Sequence, residues 1–166
     1  YTTLFRSYCR TVNPDFLKRV NRRKPKTMDA LADCWYEGNH ATYSRMSHYN
    51  DSRYHMLNLH PGLAWSLGSR DHAKPTVEFR LFQFSEPANG KQNGIHAGEM
   101  KAYIQLCLAM SELAKEIAYA SPKPQQTENE AYAMRCWMLR LGFIGDEFKT
   151  AREYFLRNAE GNSAWR

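Results

Sequence analysis

Apolar and polar positions change period along the chain, and the changes divide it into segments. Asn13-Pro14-Asp15 reads as a helix start, because the fixed φ of proline suits a first helical turn. Thr27 caps a second helix through Met28, Leu31, Ala32 and Trp35, with Gly38 placed to end it. Residues 39–52 are rich in Ser, His, Tyr and Asn and predict a loop. Two stretches, Tyr54 to His60 and Thr76 to Phe82, then alternate with the period of two that marks strands. A Gly- and Pro-containing loop separates them, and a polar loop follows from Phe84 to Gly98.

The back half has helical spacing. Met100, Tyr103, Ile104, Cys107, Met110, Leu113 and Ile117 recur at three- and four-residue steps and predict one core-facing stripe. Ser121-Pro122 ends that helix. Thr127-x-x-Glu130 has the form of a capping box for the next helix, which Gly142 closes. Asp146 opens a last helix with Phe148, Ala151, Tyr154 and Phe155. The elements predict an α+β fold: a small antiparallel sheet, helices packed on one of its faces, and a helical C-terminal half. A single domain over residues 1–166 accommodates them, since a chain of about 150 residues buries roughly two-thirds of its surface.

Composition narrows the class. Aromatic residues at 13% and charged residues at 24% exclude a disordered chain. No apolar run approaches the ~18 residues of a spanning helix, so no membrane role is expected and the location is read as cytoplasmic. Cys9, Cys34, Cys107 and Cys136 form no Cys-x-x-Cys pair, which also fits reduced thiols in the cytoplasm. Cys9 stands beside Arg10, a setting that can lower a thiol pKa, although buried structural cysteine is the commoner case.

The net charge is +6, and residues 1–80 hold the whole excess, with 13 Lys/Arg against 7 Asp/Glu. Lys18, Arg19, Arg22, Arg23, Lys24 and Lys26 supply much of it. Such a cluster attracts nucleic acid, nucleotide phosphates or acidic substrates, and equally describes a solvated helix face.

The second strand carries the most specific chemistry. Side chains alternate across a strand, so Val77, Phe79 and Leu81 share one face while Glu78 and Arg80 share the other. In the first strand, Leu57 and Leu59 point one way, and Tyr54, Met56, Asn58 and His60 the other. Asn58, Glu78 and Arg80 are thus expected on one open, charged face. A carboxylate beside a guanidinium can ligate Mg²⁺ and meet a transferring phosphoryl group. The same pattern suits an ordinary surface strand with cross-strand ion pairs.

The wording of these segments goes further. Arg53-Tyr54-x-x-Leu57-Asn58-Leu59, a loop, and Thr76-Val77-Glu78-Phe79-Arg80-Leu81-Phe82 resemble an amidoligase family of carboxylate–amine ligases related to glutamine synthetase and glutamate–cysteine ligase. Ser7-x-x-Arg10 around Tyr8-Cys9, the helix after Glu99 and Gly142-Phe143-x-Gly145-Asp146-Glu147-Phe148 extend the resemblance. It implies a glutamine-synthetase-like catalytic fold and an ATP- and Mg²⁺-dependent enzyme. That enzyme would activate a carboxylate as an acyl phosphate and let an amine attack. Peptide, cell-wall and protein-tail substrates all fit the pattern. By position, Glu78 matches a metal ligand and Arg80 the catalytic group on the phosphate. Asn58 and Arg53 match cofactor-binding residues, with His60 on the same face as Asn58.

One departure is the lack of an early strand with closely spaced acids to hold more of the metal, because no acidic residue precedes Asp15. With Tyr1 in place of Met, the expectation is a fragment whose first metal-binding strand lies upstream.

Two other classes draw on other residues. A metal-dependent hydrolase would use the histidines, all of which (His40, His48, His55, His60, His72 and His96) fall between residues 40 and 96. No pair has the helical i, i+4 spacing of a zinc protease. The alternative function is a basic nucleic-acid-binding module, with the Lys18–Lys26 run and Trp35, Tyr36 and Tyr43 for stacking, but it lacks any recognisable motif.

Overall fold

The computed structural model describes residues 9–37, 41–48, 50–64, 76–82, 97–123 and 125–164. Gly38, the loop histidines His40, His72 and His96, the Ser7-Tyr8 pair and most of both long loops lie outside the described residues. Among the described residues the architecture is α+β, with a two-stranded antiparallel sheet and a majority of helix. The described residues between 9 and 81, with 119–123, form one compact unit; those of 82–118 and 125–164 form the other.

The first unit begins with α1 (Pro14–Arg23), capped by the Asn13 side chain, which accepts the Asp15 N–H at 2.9 Å. Helix α2 (Met28–Tyr36) starts where Thr27 Oγ1 accepts the Ala30 N–H at 3.1 Å. Phe16 of α1 meets Trp35 of α2 edge-on, with ring centroids 4.7 Å apart. Residues 39–52 depart from the expected loop: α3 (Ala41–Met46) forms there, and a 3₁₀ turn spans Asp51–Tyr54. The polar residues that suggested a loop hide a helix whose buried member among the described side chains is Arg45, a charge and not an apolar anchor.

The strands are far shorter than their alternation suggests. Strand β1 is Leu57–Asn58 and β2 is Glu78–Phe79, paired antiparallel with Leu57 opposite Phe79 and Asn58 opposite Glu78. His60 is not in a strand; it opens the short helix α4 (His60–Leu63). Pro61 explains the change, because proline suits a first helical turn and cannot donate to a ladder. Gly62 and Leu63 N–H groups close the turn onto the Leu59 carbonyl at 3.0 Å each. Ala32, Tyr36 and Leu63 form the core here, with Leu31, Trp35 and Leu59 packed against it. The expected apolar face of the second strand is uneven: Leu81 is buried, but Val77 is exposed.

The second unit is helical: α5 (Ala97–Glu116), α6 (Glu130–Arg140), a 3₁₀ turn (Asp146–Phe148) and α7 (Lys149–Leu156). Helix α5 already begins inside the stretch read as a loop ending at Gly98. Its buried face is Glu99, Ala102, Tyr103 and Leu106, whereas Met100, Ile104 and Ile117 of the expected stripe are exposed. The rotation follows from α7, whose Tyr154 ring stands 3.1 Å from where a Cβ on Gly98 would lie. Arg157, just past α7, reaches Glu99 at 3.3 Å. Helix α6 is capped by Asn129, which accepts the Tyr132 N–H at 3.0 Å, and not by Thr127 as the capping-box pattern suggested. Thr127 Oγ1 instead accepts the Asn129 N–H at 3.2 Å, one step earlier in the turn. Gly142 does close α6: at φ +78 it lets the Phe143 N–H reach the Met138 carbonyl at 3.0 Å.

Candidate functional site

Pairing places the charged strand residues before any ligand is considered. The ladder continues one step beyond the formal strands, where the Arg80 N–H donates to the Met56 carbonyl at 2.8 Å. Met56, Asn58, Glu78 and Arg80 therefore share one face. A third segment lies alongside: Arg10 forms a parallel bridge with His55, donating its N–H to Tyr54 O at 2.7 Å and accepting from Met56 N at 2.8 Å. Bridged residues share a face, so Arg10 belongs with His55 and not with the Glu78 side. Cys9, next to it, is buried and donates Sγ–H to the Arg80 carbonyl at 3.0 Å. Its thiol acts here as a structural donor fixing the Arg80 backbone.

Three of the expected site residues come together. Arg80 Nη1 pairs with Glu78 Oε1, and Asn58 Nδ2 donates to Glu78 Oε2 at 2.8 Å. The face is less open than expected, since Asn58 is 4% exposed while the Glu78 and Arg80 side chains are 42% and 23% exposed. Arg80 Nε is buried with no hydrogen-bond partner among the described residues. A guanidinium donor in that position is unusual, because buried donors are nearly always satisfied. Arg53, the fourth residue, projects from the 3₁₀ turn that packs against β1, its guanidinium 5.8 Å from the centroid of the Tyr54 ring.

Behind this pair lies a polar assembly that residue spacing does not reveal. His60 is buried, and its main-chain N–H donates to Asn58 Oδ1 at 3.1 Å. Its Nε2 faces the Ser47 carbonyl at 2.9 Å, and Nδ1 faces the Tyr36 hydroxyl at 2.5 Å. A carbonyl only accepts, so Nε2 carries the proton and Nδ1 of the neutral ring accepts from Tyr36. Burial lowers the His60 pKa, the Ser47 hydrogen bond opposes this, and His48 adds to the lowering. Burial likewise raises the Tyr36 hydroxyl far above its ordinary value, with Arg45 opposing. Arg45, 5% exposed, joins three helices by donating to Leu63 O at 2.8 Å and Asp29 Oδ1 at 2.7 Å. No sequence signal pointed to this role for Tyr36 or Arg45, because each partner lies far away in the chain.

Glu78 can serve a metal only in a limited way. Among the described residues, no group of three His, Cys, Asp or Glu side chains is placed to hold an ion. A carboxylate offers about four acceptor positions, so Glu78 keeps free positions after its bonds to Arg80 and Asn58. One half-exposed carboxylate suits Mg²⁺ that arrives with nucleotide phosphates and retains water, not a cage holding the ion alone.

The basic run is partly neutralised. Arg19 and Arg23 pair with Glu37 at 3.3 and 2.9 Å, and Lys18 with Asp15 at 3.0 Å. Of the aromatics considered for base stacking, Tyr36 is buried and Trp35 packs on Phe16, while the Tyr43 side chain lies outside the described set. No described helix is long and apolar enough to cross a membrane.

Comparison with known proteins adds one finding. A family model described as putative amidoligase enzyme matches residues 2–111, which includes every residue of the Asn58, Glu78 and Arg80 cluster. No curated protein and no solved structure matches the chain.

Proposed function

The chain belongs to the amidoligase family, and from that premise we propose that it joins a carboxylate to an amine with ATP as the energy source and Mg²⁺ as the cation. The observation that carries the proposal is the Arg80 guanidinium, tied to Glu78 through Nη1 while Nε stays buried and unpartnered among the described residues. In this reading a glutamine-synthetase-like catalytic fold presents that donor to the phosphoryl group.

The reaction balances as follows. A carboxylate oxygen of the substrate attacks the γ-phosphorus of ATP, and ADP leaves. The amine then attacks the acyl carbon, phosphate departs with the transferred oxygen, and the amine nitrogen loses a proton. Bound Mg²⁺ supplies charge neutralisation on the phosphates, and Glu78 is the residue that would hold it. Arg80 binds the transferring group through planar, directional donors and offsets its charge. Arg53, on the turn before β1, is assigned to nucleotide or carboxylate contact. Peptides and cell-wall amines are the substrate classes to try first, in the cytoplasm.

The test offers the full chain Mg²⁺, ATP, hydroxylamine and a panel of carboxylic acids. Hydroxylamine stands in for the amine and converts any activated acyl group to a hydroxamate. Acid-dependent hydroxamate with stoichiometric ADP is expected. Glu78→Ala should abolish it, and Arg80→Lys should cost at least about 100-fold, because a point charge does not reproduce the guanidinium fork. ADP release that ignores the acid, or full activity in Arg80→Lys, contradicts the assignment.

A further inference from the structure

We propose that Asn58 is the positioning residue of the Glu78–Arg80 pair, with the direction of its amide set by the main chain at His60. The proposal rests on the ligase reading only for the identity of the anion that Arg80 receives.

An asparagine side chain has a donor end and an acceptor end of nearly equal shape, so its orientation is fixed by its neighbours. Here two neighbours of opposite character fix it independently. The His60 N–H can only donate, so Oδ1 must face it, 3.1 Å away. The Glu78 carboxylate can only accept, so Nδ2 must face it, 2.8 Å away. Ladder register puts Asn58 directly opposite Glu78, where the short side chain suffices for the reach. The His60 main chain is itself held by the ring, which bridges the Ser47 carbonyl and the Tyr36 hydroxyl.

The consequence runs outward from the buried side. With Oε2 engaged by Asn58, Glu78 presents Oε1 to Arg80 Nη1. That contact sets the plane of the guanidinium and leaves Nε as a donor without a partner among the described residues. Asn58, at 4% exposure with both amide atoms engaged, acts through Glu78 and not on the substrate. The arrangement separates asparagine from its nearest isostere. An aspartate at this position would still accept from His60, but it would set a carboxylate against a carboxylate.

The exchange of polarity between positions 58 and 78 provides the test. The full chain is compared as wild type, Asn58→Asp, Glu78→Gln and the double variant, without ligand and with inorganic sulfate as the anion probe. Three quantities are read: the Arg80 Nε–H resonance by NMR, sulfate affinity by calorimetry, and the thermal midpoint. Asn58→Asp is expected to shift the Arg80 Nε–H resonance in the ligand-free protein and to weaken sulfate about tenfold. The double variant restores a donor at 78 facing an acceptor at 58, so resonance and affinity should return towards wild type. If Asn58→Asp alone does not fold, Asn58→Ala removes the amide without adding charge and takes its place in the single-variant readings of resonance and affinity, while the polarity exchange is still read from the double variant.

An unchanged Arg80 resonance with lost sulfate affinity would make Asn58 a direct anion contact and overturn the proposal. A lowered midpoint with resonance and affinity both unchanged would reduce Asn58 to framework, which also overturns it. So would a double variant no better than Asn58→Asp. A wild type that binds no sulfate counts against the ligase reading, while the ligand-free resonances still decide the positioning role.

Discussion

The two compact units differ in what they bury. In the helical unit the buried residues are mostly apolar, among them Leu106, Met138, Phe143, Ala151 and Phe155. Its buried carboxylate, Glu99, is met by Arg157. In the sheet unit, Arg45, Asn58 and His60 are buried beside the small core of Ala32, Tyr36 and Leu63. An apolar core tolerates imperfect matching and loses stability in proportion to the volume removed. A polar assembly depends on every partner, because each deleted group strands another without water. The unit that carries the candidate site is thus the one whose geometry is fixed atom by atom.

Four changes sharpen or break that contrast. Phe143→Ala should have the largest effect, about 3–5 kcal/mol, since the ring is fully buried and stacks on Phe148 at 4.8 Å. Hydrogen exchange should show the loss in α5–α7 amides, and equal loss throughout the sheet unit would remove the distinction. Arg45→Met keeps bulk but strands the Leu63 carbonyl, for an expected cost of about 1–3 kcal/mol by urea denaturation. No measurable loss would mean that the buried guanidinium is incidental.

Acid tests the same polar core. His60 holds its proton less tightly when folded than its ordinary value of 6.5, so the unfolded chain takes up that proton first as pH falls. Stability from this group is therefore complete above about pH 6.5 and declines as pH drops towards the folded pKa. His60→Gln, which can donate to Ser47 and accept from Tyr36, should flatten the decline measured by urea denaturation at several pH values. An undiminished decline would place its origin elsewhere. The smallest effect belongs to the helical unit: Asn129→Ala should cost about 1 kcal/mol and exceed Thr127→Ala, since Asn129 holds the α6 N–H directly. The reverse order would reinstate Thr127 as the cap.

The contrast also explains which features are legible in the sequence alone. The starts of α1 and α2 and the end of α6 were legible, because Asn13, Thr27 and Gly142 act on their own neighbours. The buried face of α5 was legible only in part, because packing against α7 selects it and leaves Met100 and Ile104 outside. The alternation that placed Asn58, Glu78 and Arg80 together holds, yet it overstated the strands, since Pro61 turns the chain just after Asn58. The Tyr36–His60–Ser47 ties join residues with no common period, so no pattern announces them.

In the proposed reaction a substrate carboxylate takes the γ-phosphoryl group of ATP before an amine attacks. The most direct measurement uses an acid selected in the hydroxamate screen, labelled with ¹⁸O in its carboxylate, and follows the label by mass spectrometry. One ¹⁸O in each released phosphate is expected, accompanied by amide and ADP in equal amounts. Phosphate without label, or label carried into AMP, would contradict it.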